Sequence, residues 1–82
     1  MAGWVLYGTV GCHLCDVAEQ LLATTLDLQS VSIELVDIAD DDRLVERYGI
    51  RIPVLADSQT GRELGWPFDS QQLLRFVAEQ AD

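Results

Sequence analysis

The spacing of apolar residues along this chain changes several times, and each change marks a different predicted element. Trp4–Tyr7 is a short run of apolar, aromatic and β-branched residues that stops at Gly8, which is typical of a buried strand. From His13 onward, apolar residues recur every three or four positions, which predicts a helix of about four turns with one apolar stripe. The members of this stripe are Leu14, Val17, Ala18, Leu21, Leu22 and Leu26.

The middle of the chain predicts a strand followed by a short helix. Residues 31–36 have the alternating side chains of a strand. Its predicted apolar face consists of Val31, Ile33 and Leu35. The acidic run Asp40–Asp42 suits the start of a helix, where unpaired backbone N–H groups and the helix dipole favour negative charge. We expect this helix to end at Gly49. Its apolar residues are Leu44, Val45 and Tyr48.

The last third of the chain predicts a hairpin and a final helix. Pro53–Ala56 predicts a third strand, Asp57–Gly61 is rich in turn residues, and Glu63–Trp66 predicts a fourth strand. The final helix begins at Asp69, whose side chain can cap it while Gln72 occupies the capping-box position three residues on. The spaced residues on its faces are Leu73, Phe76, Val77 and Gln80.

The predicted element order is therefore β-α-β-α-β-β-α. A long helix separates the first two strands, so we expect them to be parallel, whereas the last two are close enough in sequence to form an antiparallel hairpin. The predicted class is α/β, with a mixed sheet of about four strands flanked by helices. Since 82 residues are enough for one domain and not for two, we expect a single domain over residues 1–82.

The charge of the chain is strongly negative. Fourteen acidic residues face five arginines and no lysine, for a formal net charge of -9. Such a field repels nucleic acid and anionic membranes, so we expect neither as a partner. We find neither an apolar stretch long enough to span a bilayer nor an N-terminal secretion signal. The sequence predicts a cytoplasmic protein, and nothing in it demands more than a monomer.

The chemistry of the chain is concentrated in the motif Cys12-His13-Leu14-Cys15, which contains its only two cysteines. The motif falls where the loop after the first strand gives way to the first helix. The helix start brings both sulfurs to one side and places Cys12 near unpaired N–H groups that stabilise a thiolate. This position predicts that Cys12 attacks a disulfide and that Cys15 then resolves the mixed disulfide.

Other uses of the two cysteines remain open at this point. They could be inert, in a binding module that has lost redox chemistry. A tetrahedral zinc site needs about four ligands, so a metal or iron–sulfur site would need Asp16, an external ligand or the cysteines of a second chain. We predict no metal site in a single chain. His13 is either a protonated ring that favours the Cys12 thiolate or an uncharged surface ring.

These residues resemble the glutaredoxin branch of the thioredoxin-fold proteins, specifically the short bacterial glutaredoxin-like proteins. The similarity covers essentially the whole chain. Tyr7, the four-residue gap and the cysteine motif look like the family's strand, loop and active site. Arg51-Ile52-Pro53 stands where the family has a residue pair followed by a cis-proline, and Gly65-Trp66 stands where it has paired glycines. The resemblance implies that Pro53 is cis and that the backbone of Ile52 pairs with the substrate.

Three departures from the family pattern concern glutathione. His13-Leu14 replaces the usual Pro-Tyr or Pro-Phe, Thr9 replaces a common lysine, and Trp66 replaces the second glycine. Arg51 is either a positive charge for the substrate or a surface arginine, and Trp66 is either a wall for the substrate or a core residue. We expect a thiol–disulfide oxidoreductase acting on protein or small-molecule disulfides, with no bound cofactor. Glutathione is one candidate reductant and a thioredoxin-type reductase is another.

Overall fold

Four strands form a single mixed sheet in the computed structural model, which describes residues 3–27, 29 and 31–80 (for Gln80, the backbone alone). The elements in chain order are β1 (Gly3–Gly8), α1 (His13–Thr25), β2 (Ser32–Asp37), a 3-10 turn (Ile38–Asp40), α2 (Asp42–Tyr48), β3 (Val54–Asp57), β4 (Glu63–Gly65) and α3 (Ser70–Gln80). The predicted element order is confirmed. The 3-10 turn before α2 was not predicted.

The sheet has the strand order β2-β1-β3-β4, with β1 and β3 in the centre. β1 runs parallel to β2, with Gly3 opposite Ser32. β1 runs antiparallel to β3, with Tyr7 opposite Val54, and β3 runs antiparallel to β4. The predicted parallel first pair and the predicted hairpin are therefore both confirmed.

The core lies on both faces of the sheet, because side chains alternate along the central strands. Trp4 and Leu6 of β1 point to the face that α1 and α3 cover, whereas Tyr7 points to the face that α2 covers. The larger cluster of buried residues is Trp4, Leu6, Ala18, Leu22, Leu55, Phe68, Leu73 and Phe76. The smaller cluster is Ile38, Tyr48 and Val54.

The predicted apolar stripe of α1 is wrong at its first turn. Leu14 is 48% exposed and Val17 is 38% exposed. The residues that face the sheet are Cys15, Ala18 and Leu22, which follow one another at helical intervals of three and four. Because Cys15 occupies the buried position in the first turn, its neighbours Leu14 and Val17 are rotated towards solvent.

The apolar face predicted for β2 is not fully covered, since 55% of Leu35 is exposed. β2 is an edge strand, and α1 does not close over this part of it. Leu35 lines two cavities between α1 and β2, of about 360 and about 180 Å³. The strand therefore has the predicted alternation, but one of its apolar residues lacks a covering helix.

Glycine ends α2 as predicted, although not through a left-handed conformation. Gly49 has φ -49°, an ordinary right-handed helical value. A Cβ at this position would lie 2.5 Å from the carbonyl oxygen of Val45, so close approach is what requires glycine here. At the other end of α2, the Asp41 carboxylate accepts a hydrogen bond from the Arg43 N–H at 2.8 Å.

The capping box predicted for α3 is confirmed. The Gln72 N–H donates to the Asp69 carboxylate at 2.8 Å, and the Asp69 N–H donates to the Gln72 side-chain oxygen at 3.0 Å. Leu73 and Phe76 are buried as expected. The predicted orientation of the Gln80 side chain lies outside the described residues. No helix in the described part of the chain is both long and apolar enough to cross a membrane.

Candidate active site at Cys12 and Cys15

Cys12 is the N-cap residue of α1. Its sulfur accepts a hydrogen bond from the Cys15 N–H at 3.1 Å and forms a disulfide with the Cys15 sulfur. The two Cα atoms are 5.2 Å apart, a common separation for such a bond. Cys15 is only 6% exposed, whereas Cys12 is half-buried. The sulfur that a substrate can reach more easily is therefore that of Cys12.

The loop between β1 and α1 shapes the position of both sulfurs. A Cβ added at Gly8 would lie 3.0 Å from the Cys15 sulfur, so glycine gives this sulfur the room it occupies against β1. Gly11 has φ +83°, a left-handed conformation that favours glycine. The Cys12 N–H donates to the Thr9 carbonyl at 3.3 Å, which closes the turn that leads into the helix.

Thr9 connects this loop to the end of β2. Its hydroxyl donates a hydrogen bond to the Asp37 carboxylate, which also accepts one from the Ala39 N–H at 2.9 Å. The hydrogen bonds from Ala39 and Thr9 lower the pKa of Asp37, burial opposes them, and the Val10 N–H adds to the lowering. Asp37 therefore stays ionised, and its hydrogen bond with Thr9 links the loop after β1 to the end of β2.

A cavity of about 360 Å³ opens beside Cys15 on the side of β2, and we call it the acidic cavity. Its floor includes Leu6, Leu35 and the glycines of the loop. The residues around it include three carboxylates, Asp16, Glu19 and Asp37, and no basic residue among those described.

Pro53 lies on the opposite side of the cysteine pair. The Ile52–Pro53 peptide bond is cis, which confirms the expectation from the resemblance. In the antiparallel register Tyr7 faces Val54, so Pro53 comes opposite Gly8, the residue that contacts Cys15. The Ile52 N–H donates to the Tyr48 carbonyl at 3.1 Å. The resemblance implies that the backbone of Ile52 pairs with the substrate. Its N–H, however, already donates a hydrogen bond within the chain.

A group of charged and aromatic side chains, which we call the Glu63 cluster, lies next to this segment. Glu63 pairs with Arg51 at 3.0 Å and with Arg47 at 3.4 Å, and it accepts a hydrogen bond from the Tyr48 hydroxyl. The Tyr48 ring stacks on Tyr7 with 4.3 Å between centroids. The cluster therefore connects α2, β4 and the residues before Pro53.

The pKa values in the Glu63 cluster follow from these contacts. Burial raises the pKa of Glu63, but the hydrogen bonds from Tyr48 and Arg51 and the charges of both arginines outweigh it, so the pKa lies below its usual value. Burial, together with the hydrogen bond to Glu63 and its charge, raises the pKa of Tyr48 to about 12. Glu63 is thus a carboxylate at neutral pH and Tyr48 is a neutral donor.

Sequence reasoning missed Glu63 and Tyr48. Both lie in predicted elements, where Glu63 was expected only to begin a strand and Tyr48 only to fill a helix face. The only signal for their meeting is the spacing of Arg47 and Arg51, which are four residues apart on either side of Gly49. The contact itself depends on the pairing of β4 with β3, which no local pattern specifies.

The remaining predicted site residues differ in their surroundings. His13 is exposed on the first turn of α1, and Gly65 is exposed opposite Val54. Trp66 packs edge-on against Phe68 at 5.0 Å and against the larger core cluster, and it is only half-buried. The Trp66–Pro67 bond is also cis, which was not predicted.

Within the described residues, no group of three or more His, Cys, Asp or Glu side chains is arranged to hold a metal ion.

A disulfide-forming Cys-x-x-Cys at a helix start, beside a cis-proline and on a mixed sheet of this order, defines a protein of the thioredoxin-like fold class. The family model of the glutaredoxin-like domain (DUF836) matches residues 4–78, and the chain belongs to this family. The predicted family and fold class are thereby confirmed.

Solved structures agree with this assignment. The crystal structure of target protein XcR50 from X. campestris is 41% identical, covers 93% of this chain and 96% of its own, and has a TM-score of 0.82. The solution structure of protein Ne2328 from Nitrosomonas europaea is 29% identical, covers 92% and 89% of the two chains, and has a TM-score of 0.73. No curated protein gives a significant match.

A more distant structure shows the fold alone. Thioredoxin from Trypanosoma brucei brucei is 17% identical to this chain and superimposes with a TM-score of 0.60. The match covers 96% of this chain and 76% of the thioredoxin. The two proteins therefore share their architecture.

Proposed function

We propose that this protein is a thiol–disulfide oxidoreductase in which Cys12 is the nucleophile and Cys15 is the resolving thiol. The observation that carries the proposal is the hydrogen bond from the Cys15 N–H to the Cys12 sulfur at 3.1 Å, at the N-terminus of α1. An N–H donor aimed at this sulfur stabilises the thiolate, which is the reactive form.

The reaction begins with the reduced pair. The Cys12 thiolate attacks one sulfur of a substrate disulfide, forms a mixed disulfide and releases the other substrate sulfur as a thiolate, which takes up a proton. Cys15 then loses its proton and attacks the Cys12 sulfur. This second step forms the Cys12–Cys15 disulfide and releases the second substrate thiol. Two electrons pass from the protein to the substrate, and an external dithiol, glutathione or a thioredoxin-type reductase must return them.

Burial supports this order of events. Cys15 is the less exposed sulfur and packs against Gly8, so it meets Cys12 more readily than it meets a substrate. Ile52 and Pro53 come just before β3, whose first residue, Val54, is paired with Tyr7 of β1 and Gly65 of β4, and Trp66 follows Gly65. We place the substrate backbone along this side. The basic residues nearest to this side in the sequence are Arg51, two residues before Pro53, and His13, directly after Cys12.

We further propose that the substrates are protein disulfides or disulfides of low-molecular-weight thiols, and that the protein acts as a monomer in the cytoplasm without a bound cofactor. A net charge of -9 disfavours nucleic acid and anionic membranes as partners. Two closely spaced cysteines in a reducing compartment are more often redox-active than structural.

The test is a single-turnover assay that needs no electron donor. The reduced wild-type protein should open one disulfide of a substrate such as 2-hydroxyethyl disulfide per molecule, and Cys12→Ser should open none. Cys15→Ser should stop at a mixed disulfide on Cys12 that mass spectrometry detects. Full activity of Cys12→Ser would overturn the proposal, whereas absence of reaction in the reduced wild-type protein would favour a redox-inert binding module.

The reduction potential of the pair completes this test. Known proteins of this kind span roughly -270 to -120 mV, which separates reductants from oxidants. Equilibration of the pair with glutathione mixtures of known ratio gives the value. Turnover with glutathione or with a thioredoxin-type reductase then identifies the donor.

A further inference from the structure

Two arginines share one carboxylate in the Glu63 cluster, next to the segment that precedes Pro53. Glu63 is 16% exposed in its side chain, and it pairs with Arg51 through one oxygen and with Arg47 through the other. The Tyr48 hydroxyl donates to the same carboxylate. The chain has only five arginines and no lysine, so this cluster engages two of its five strongly basic side chains.

The Glu63 cluster is joined to the site through the backbone. Arg51 is two residues before Pro53, and both the Arg51 N–H and the Ile52 N–H donate to the Tyr48 carbonyl, at 2.7 and 3.1 Å. The Arg51 guanidinium also lies over the Tyr48 ring, 5.4 Å from its centroid. Arg51 is therefore the basic residue of the substrate segment, and its guanidinium is directed to Glu63.

The other charges around the cysteine pair are mostly negative. The acidic cavity beside Cys15 contributes Asp16, Glu19 and Asp37. Asp37 is held ionised by its hydrogen bonds. A substrate that approaches Cys12 thus meets carboxylates on the side of β2 and, on the side of β3, an arginine whose guanidinium is directed to Glu63.

We propose that Glu63 determines the charge preference of this site: by pairing with Arg51 and Arg47 it lowers the positive charge that these side chains offer to an anionic disulfide, so the preferred substrates are neutral or cationic disulfides. The inference rests on the proposed disulfide chemistry and specifies its substrate class. Glu63 contacts no reacting atom and acts through Arg51, so it is a positioning residue.

The experiment compares three small disulfides that differ in charge. Cystamine is cationic, 2-hydroxyethyl disulfide is neutral and dithiodiglycolate is anionic. Each single-turnover rate constant with reduced protein is divided by the rate constant for the reaction of the same disulfide with dithiothreitol. This ratio removes differences in the intrinsic reactivity of the three disulfides. The wild-type protein should give the order cationic, neutral, anionic, from fastest to slowest.

The deciding variant is Glu63→Gln, which keeps the size of the side chain and releases both arginines. Its normalised rate with the anionic disulfide should rise by roughly threefold to fivefold relative to the neutral one, the scale of a surface ion pair. The matched control is Glu79→Gln, which makes the same charge change and breaks a comparable ion pair with Arg62. That pair lies on the α3 face of the sheet, and this control should change the same ratio by less than about twofold.

The double variant Glu63→Gln with Arg51→Gln identifies the group that is released. It should bring the ratio back towards the wild-type value, because the guanidinium next to Pro53 is gone and only the released Arg47 remains. A parallel change with all three disulfides in Glu63→Gln, or an equal gain in Glu79→Gln, would overturn the inference.

The wild-type series can overturn the inference even if Glu63→Gln fails to fold. A faster normalised reaction with the anionic disulfide than with the neutral one would overturn the inference, since Arg51 would then already serve an anion. Absence of reaction with all three disulfides is a different result. It would overturn the proposed function itself, and this inference with it.

Discussion

At the scale of single residues, Glu63 shows how a partly buried carboxylate stays charged. Burial alone would favour its neutral form, yet three donors from Arg47, Tyr48 and Arg51 converge on it. Hydrogen bonds to a charged group contribute more than those between neutral groups. The carboxylate is therefore part of what joins β4 to α2 in the folded state.

The lowered pKa of Glu63 predicts a pH dependence of stability. In the unfolded chain its pKa returns to the ordinary value of 4.5, so the unfolded state binds a proton first as pH falls. The stabilisation is complete above that value and is lost as pH falls through the lower folded pKa. The free energy of unfolding of wild type should exceed that of Glu63→Gln at neutral pH, and the difference should shrink as the pH falls below 4.5.

Urea unfolding of both proteins across this range measures the difference. The Glu79→Gln variant is the control, because Glu79 pairs with Arg62 at the surface, where both side chains are about half exposed. A difference between wild type and Glu63→Gln that stays constant down to the lowest pH would contradict the prediction.

Two glycines with positive φ allow the effect of a loop on stability to be distinguished from its effect on the reactivity of Cys12. Gly11 (φ +83°) precedes Cys12, and Gly61 (φ +78°) lies in the turn before β4. Alanine would meet no described atom within 4 Å at either position, so its effect is conformational. Each substitution should lower the free energy of unfolding by about 1–2 kcal/mol.

Only Gly11→Ala should also slow the reaction of Cys12 with 2-hydroxyethyl disulfide, because only this glycine sets the path of the chain into α1. Stopped-flow rates of the reduced variants provide the measurement, and Gly61→Ala is the matched control. Equal slowing in both variants would show that lost stability, rather than the loop before Cys12, controls the rate.

At the scale of elements, the start of α3 depends on the reciprocal bonds between Asp69 and Gln72. Asp69→Ala should lower the free energy of unfolding by about 1 kcal/mol, because the Gln72 N–H loses its acceptor. Asp69→Ser should retain most of it, since a hydroxyl can accept the same bond. Thermal unfolding followed by circular dichroism tests both variants, and an equal loss in the two would argue against the cap.

This cap also shows why much of the fold could be predicted from the sequence. Asp69 and Gln72 are three residues apart, and the apolar spacing and turn residues of the other elements are equally local. The prediction failed where burial depends on a neighbour from elsewhere in the chain. Leu14 lies on the predicted apolar stripe of α1 and Leu35 on the predicted apolar face of β2, yet both are exposed, because Cys15 takes the buried position in the first turn of α1 and β2 is an edge strand.

The candidate site also has features that could be predicted from local sequence and features that could not. Cys12 and Cys15 could be found because their spacing and their place at a helix start are local features. The cis bond at Pro53 was inferred from the family resemblance, since sequence alone favours trans. The pairing of Glu63 with Arg51 crosses from β4 to the end of α2, and such a contact requires the sheet register.

At the scale of the whole molecule, the sheet order distributes charge around the cysteines. Because β1 is central, the loop after it has β2 on one side and β3 on the other. The acidic cavity belongs to the first side and the Glu63 cluster to the second. The whole chain carries a net charge of -9 and has only five arginines. The pairing of Arg51 with Glu63 therefore offsets a positive charge in a protein that has few of them.

The same net charge predicts how salt affects stability. Self-repulsion among fourteen acidic residues disfavours the compact state, and added sodium chloride screens it. Raising the salt from about 20 mM to about 500 mM shortens the screening length several-fold, so the free energy of unfolding at neutral pH should rise. Near the sequence pI of about 4.2 the net charge vanishes, and the salt effect should largely disappear. Urea unfolding at both pH values tests this, and an equal gain at each would mean that sodium chloride stabilises the fold by something other than screening.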